Sequence, residues 1–106
     1  MARFGYLFLR GGKWAGREIV SERWIALART PGPANPNYGF ANWYLNTGRR
    51  PLTKAPASAV RFVGNGANIV YIDWDNDLVV VVRWIKDEST LNEFLGRVIG
   101  AMRATK

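Results

Sequence analysis

The chain has no cysteine and no histidine. Without cysteine there is no disulfide, no thiolate metal site and no cysteine nucleophile. Without histidine the commonest metal ligand and the commonest general base are missing, and a Ser-His-Asp triad cannot be built. No apolar stretch approaches the roughly 20 residues that a membrane-spanning helix needs. Acidic residues are scarce in the first part. Residues 1–61 hold ten Lys/Arg against Glu18 and Glu22 alone, whereas residues 62–106 hold five basic and six acidic residues. A basic half can mark a nucleic-acid or anionic-membrane face. No basic run exceeds the pair Arg49-Arg50. With no nucleic-acid motif beside it, the pattern reads as dispersed arginines on a solvated surface. The apolar start, Met1 to Leu9, lacks a small-residue cleavage pattern and does not read as a signal peptide.

What is present is globular in composition: 106 residues, 48% hydrophobic, 22% charged, with a formal net charge of +7. That suits one small domain. Residues 2–10 predict a short helix, with Phe4, Leu7 and Phe8 at i, i+3, i+4 and Gly11 as the residue after its end, but with no N-cap. Residues 12–20 read as a turn and a short extended piece. Ser21 caps a second helix through about Arg29 that buries Trp24, Ile25 and Ala28, and Pro31 and Pro33 stop it. Tyr38 to Leu45 predicts a strand, and residues 46–58 a long loop.

The most regular part follows. Ala59 to Val63 predicts a strand, broken by Gly64-Asn65-Gly66. Asn68 to Asp73 predicts a second strand, residues 74–77 a turn, and Leu78 to Ile85 a β-branched strand buried on both faces. Thr90 and Glu93 form a capping box. Leu91, Phe94, Leu95, Val98, Ile99 and Met102 make one apolar stripe on a final helix. The strands on either side of 74–77 should form an antiparallel hairpin with that helix packed on the sheet. The expected class is α+β, with an antiparallel sheet and a C-terminal helix on it.

Each candidate site has a plainer reading beside it. Asp73-Trp74-Asp75-Asn76-Asp77 has the D-x-D-x-D spacing that opens a calcium loop. Leu78 and Trp84 stand where such a loop needs Gly and Glu, so a polar turn is favoured. Gly64-Asn65-Gly66 lacks the third glycine and the following helix of a phosphate cradle, and reads as a tight turn or bulge. The five tryptophans and four tyrosines read as core before ligand surface, although consecutive Trp43 and Tyr44 should face opposite sides of a strand. Ser21, Ser58 and Ser89 sit in no nucleophile motif. Ser58 has Arg61 three residues on, and arginine does not deprotonate near neutral pH.

Four segments carry a resemblance. They are residues 1–16 (Met-Ala-Arg-Phe-Gly-Tyr-Leu-Phe-Leu-Arg-Gly-Gly-Lys-Trp-Ala-Gly) and 19–24 (Ile-Val-Ser-Glu-Arg-Trp). The others are Asn37-Tyr-Gly-Phe with Trp43-Tyr-Leu-Asn46, and residues 64–73 followed by Asp77-Leu-Val-Val-Val-Val82. In that order and at those gaps the chain resembles the C-terminal part of the serine β-lactamase and penicillin-binding-protein superfamily. The nearest branch is the class C-like, β-lactamase-related hydrolases and esterases. The resemblance implies one partial domain over 1–106, part of a β-lactamase/transpeptidase-like fold, acting in acyl transfer on an ester, amide or β-lactam.

In that family the nucleophile is the Ser of S-x-x-K, and a third motif, K-T-G or a relaxed version, lies on a strand lining the cleft. By resemblance the third motif falls at Phe62, Val63 and Gly64, with the backbone N–H of Asn65 as an oxyanion donor. A slip by two would make it Gly64-Asn65-Gly66. The absence of Lys and Thr here favours an esterase or amidase-like parent. Tyr44-Leu45-Asn46 spells the second motif, Y-x-N, in the wrong part of the family order, and is a coincidence. The resemblance calls for no metal and no cofactor.

The S-x-x-K segment lies upstream in the family and is not among these residues, which also fits the uncapped helix at Met1. The expectation is a fragment or one piece of a split enzyme, inactive alone. Its partners would be the missing N-terminal part of the domain or a second copy, with a small acyl substrate only in the complete enzyme. The alternative is a stand-alone basic module that uses residues 1–61 to bind an anionic partner such as nucleic acid. On the hydrolase reading no nucleic acid is expected.

Overall fold

A computed structural model describes residues 1–30, 33–34, 38–39, 42–44, 52–66 and 68–104. Helix α1 (Ala2–Leu9) is followed by strands β1 (Lys13–Trp14) and β2 (Arg17–Glu18) and helix α2 (Glu22–Ala28). Strands β3 (Tyr38–Gly39), β4 (Asn42–Tyr44), β5 (Val60–Gly64), β6 (Asn68–Asp73) and β7 (Leu78–Val82) come next, and helix α3 (Glu88–Ala104) ends the order. β1 and β2 form a small antiparallel pair. The other five strands form one antiparallel sheet in the order β3-β4-β5-β6-β7. The α+β class is as expected.

Turn chemistry sets the connections. The end of α1 is a full Schellman arrangement: Gly12 N–H donates to Leu7 C=O and Gly11 N–H to Phe8 C=O, with Gly11 left-handed at φ 66°. The loop between β1 and β2 has two residues, Ala15 and Gly16, both at positive φ, which matches the twist of a tight hairpin. Ser21 caps α2 by accepting the Trp24 N–H at 3.1 Å. β6 and β7 pair from Ile69↔Val82 to Asp73↔Leu78 across the 74–77 turn, as anticipated.

The sheet lies between two helical layers because its strands alternate. On one face Val60, Val70 and Ile72 meet Phe8 and Leu9 of α1 and Ile25 and Ala28 of α2. On the other, Ile69 and Tyr71 meet Leu91 and Leu95 of α3, together with Leu52 and Ala55. Each fully buried aliphatic side chain contributes about 1.5–3 kcal/mol.

Several expectations need correction. The buried face of α1 is Gly5, Phe8 and Leu9, while Phe4 is exposed. The helix lies so close to the sheet that Gly5 sits directly over Val79 and Val70. α2 buries Ile25 and Ala28, but Trp24 lies at its edge, 42% exposed. The single strand predicted over 38–45 is a hairpin, β3 with β4, paired Tyr38↔Trp43. β7 is half-buried throughout because it is the last strand of the sheet, and it ends at Val82, opposite Ile69, with Trp84 left-handed just beyond. α3 starts at Glu88 with Asp87 as its cap, accepting the Thr90 N–H at 2.8 Å. Glu93 pairs with Arg97 rather than reaching back. Its buried stripe is Leu91, Leu95 and Ile99, with Phe94 exposed.

Residues 52–58 of the predicted long loop contribute core, since Leu52 and Ala55 are buried. The expectations for Pro31, for residues 46–51 including Arg49-Arg50, and for Leu45 and Asn46 lie outside the described residues, as do the side chains of Trp43 and Tyr44. Among the described residues no helix is long and apolar enough to cross a membrane.

Candidate functional site

The third-motif residues close β5. Gly64 pairs with Asn68, and Asn65 and Gly66 turn away from the end of the strand. Phe62 and Val63 point to opposite faces, as successive strand residues must. Phe62 is half-buried and edge-on to Phe4 and Phe8, at 5.0 and 5.2 Å between ring centroids. It therefore belongs to the core under α1. Val63, Gly64 and Asn65 are exposed. Of the residues singled out by the resemblance, these three share the solvent-facing end of the strand.

Two residues outside the motif shape that end. Asn68 donates its side-chain amide to the Asn65 C=O at 2.8 Å and accepts the Trp84 N–H on its own side-chain oxygen at 3.2 Å. One side chain thus ties the turn to the chain just beyond β7. Trp84 is 70% exposed and left-handed at φ 57°, an uncommon conformation for a bulky residue. Its indole lies over Gly66, which is itself at φ 82°. A methyl group at position 66 would run into the six-membered ring. Asn65, Gly66 and Trp84 therefore form one exposed corner, an open turn walled by an aromatic ring. The tight turn was legible from Gly and Asn. Its wall was not, because Trp84 is remote in sequence and only the sheet brings it there.

The D-x-D-x-D segment sends its carboxylates three ways. Asp73 is fully buried and accepts the Tyr71 hydroxyl at 2.8 Å, the Asn76 N–H at 3.0 Å and the Asn76 side-chain amide at 2.8 Å. Burial, together with the bond to Asp73, holds the Tyr71 phenol well above the ordinary tyrosine range. Asp75 accepts the Ser58 hydroxyl at 2.8 Å. Asp77 takes both guanidinium nitrogens of Arg10, at 2.6 and 3.1 Å. This divergence is the geometry of a polar turn pinned to its surroundings. It also occupies Ser58, while Ser21 is a helix cap and Ser89 lies in the exposed first turn of α3.

An aromatic and basic group lies elsewhere, on α1 and the first hairpin. Tyr6 and Trp14 meet edge to face at 5.8 Å, both partly exposed, and Arg10 sits 5.1 Å over the Tyr6 ring. Arg29 covers the Trp74 ring at 3.8 Å, and burial lowers its pKa from the usual arginine value.

No family model matches the chain, and no curated protein matches it.

Proposed function

We propose that this chain supplies the oxyanion-side strand of a β-lactamase-related serine hydrolase, an acyl-transfer enzyme acting on an ester, an amide or a β-lactam. The observation that carries the reading is the end of β5. Val63, Gly64 and Asn65 stand exposed where the strand closes, next to the Gly66 that the Trp84 indole covers. A backbone N–H aimed at the charge that develops on an acyl oxygen is worth on the order of 3 kcal/mol. The absence of Lys and Thr from residues 62–64 favours an ester or amide over a β-lactam carboxylate. The S-x-x-K nucleophile is not among these 106 residues, so on this reading they do not catalyse acyl transfer by themselves.

The test has two arms. The 106-residue chain should not hydrolyse a chromogenic ester or β-lactam. Hydrolysis that survives Ser21, Ser58 and Ser89 all changed to Ala would overturn the reading. The genomic DNA immediately upstream of the Met1 codon should encode an S-x-x-K segment, in frame or shifted, and its absence would count equally against it. In a chain joined to that segment, Asn65→Ala keeps the backbone N–H and the activity. Asn65→Pro removes the N–H and costs roughly 10²–10³ in kcat.

A specific observation favours a second reading, a basic binding module. The exposed Tyr6–Trp14 pair lies beside Arg10 and, across the first hairpin, Arg17, an arrangement suited to stacking bases near phosphates. It expects salt-dependent binding to DNA or RNA. No gel shift at low salt would end it.

A further inference from the structure

β7 is the last strand of the sheet, and among the described residues no strand lies along its outer edge. An open edge presents unpaired backbone groups, and proteins usually blunt it with a charge, a proline or a bulge. β7 has none of these. It is Leu78-Val79-Val80-Val81-Val82, every residue half-buried. Val79 and Val81 pack into the core beneath α1 and α2, and Leu78, Val80 and Val82 into the core beneath α3. Both faces are thus partly covered, while among the described residues the outer edge has no strand beside it.

We propose that β7 pairs with β7 of a second copy of this chain, antiparallel about a two-fold axis through Val80. The sequence selects that register. Centred on Val80, Leu78 faces Val82 of the second copy, Val79 faces Val81, and Val80 faces itself, so all five apolar residues meet apolar partners. Just beyond the strand, Asp77, in the turn at φ 52°, and Arg83 of the second copy come to the same end of the pair, once at each end. Centred on Val79, Asp77 would face Val81. Centred on Val81, Arg83 would face Val79. Only the central register joins apolar to apolar and acid to base.

Asp77 and Arg83 are exposed. Asp77 accepts one hydrogen bond from Arg10 on each carboxylate oxygen, and a carboxylate oxygen can accept more than one. The contact is isologous, so it closes at two copies instead of growing into a fibre. The joined sheet would have ten strands, with helices on both faces of each half. The proposal does not depend on the hydrolase reading.

Sedimentation equilibrium on the full chain tests it. The expected mass rises with concentration to twice the 11.9 kDa of one chain and goes no further. Arg83→Asp and Asp77→Lys should each weaken the dimer several-fold, and the double reversal should restore it. Rising concentration should slow exchange of the β7 amides that point away from β6. Should Asp77→Lys disturb the fold by losing Arg10, the exposed Arg83→Asp carries the test alone, with circular dichroism confirming that it is folded. A folded chain that stays monomeric at high micromolar concentration overturns the proposal. So does a dimer indifferent to Arg83→Asp, or one whose concentration-dependent protection falls outside β7.

Discussion

Tyr71 donates its hydroxyl to Asp73, two residues along the same strand, at 2.8 Å, and both side chains are fully buried. The bond joins the middle of β6 to the turn that follows it, because Asp73 also holds the N–H and the side-chain amide of Asn76. A carboxylate placed there is tolerated because three donors replace its water.

Removing either partner should therefore have unequal effects. Tyr71→Phe deletes one bond to a charged acceptor and should cost about 1.5–3 kcal/mol. Asp73→Ala leaves the Tyr71 hydroxyl and both Asn76 donors without their acceptor, and should cost more. Urea unfolding midpoints measure both, and equal costs would contradict the network.

The same pair predicts a loss of stability in alkali. The Tyr71 pKa is raised in the folded chain, so the unfolded chain releases that proton first. The stabilisation is fully present below about pH 10, the unfolded value. It falls as pH rises from there towards the folded value, because the unfolded state then binds fewer protons. Tyr71→Phe should flatten this limb of the stability–pH curve relative to wild type.

Leu52 lies outside every helix and strand, yet it is fully buried with Leu91 and Leu95. The turn that carries it is fixed to α3, since Asn92 accepts the Lys54 N–H at 2.8 Å and donates to the Thr53 hydroxyl at 3.1 Å. Leu52→Ala should cost about 2–5 kcal/mol, as a core leucine does. Thermal or urea unfolding of Leu52→Ala beside Leu91→Ala checks this. A loop-like cost near zero would mean that the plug is not seated.

Gly5 gives a case where helix propensity and packing oppose each other. Gly→Ala in an exposed helix gains about 1 kcal/mol. A Cβ at Gly5 would lie 2.6 Å from a Val79 methyl and 3.0 Å from one of Val70. Overpacking of this kind costs about 1–3 kcal/mol and should win. Gly5→Ala is then destabilising, and Val79→Ala should be less harmful with Gly5→Ala than in its absence. An additive double-mutant cycle would rule out the close approach.

These cases mark where local pattern stops informing. Asn68 to Asp73 and the 74–77 turn were legible because β-branched alternation and an Asp/Asn cluster are local signals, and strand and turn lie where those signals fall. Gly11 and Ser21 were legible for the same reason. The plug at Leu52, the contact of Gly5 with Val79 and the indole of Trp84 over Gly66 join residues remote in sequence, and no periodicity encodes them. Within the candidate site, the turn at Gly64-Asn65-Gly66 could be read. That Phe62 belongs to the core and Val63 to the surface depended on where α1 docks.

The start of α3 departs from the expected capping box for a different reason, competition between two good caps. Thr90 and Asp87 both suit an N-cap, and Asp87 takes the role by accepting the N–H and the hydroxyl of Thr90, both at 2.8 Å. Those two bonds, the backbone one first, hold the Asp87 carboxyl below its usual value. A lowered folded pKa means that the stabilisation is present above the unfolded value of about 4 and is lost as pH falls through the folded value. Asp87→Asn retains a capping oxygen without a titrating group, so it should keep the helix while flattening the acid limb of the stability curve. Asp87→Ala should lower the Tm at neutral pH and raise amide exchange in the first turn of α3. Thr90→Ala, which leaves the backbone bond to Asp87 intact, should do so less. If Thr90→Ala proved the more damaging of the two, Thr90 rather than Asp87 would be the cap.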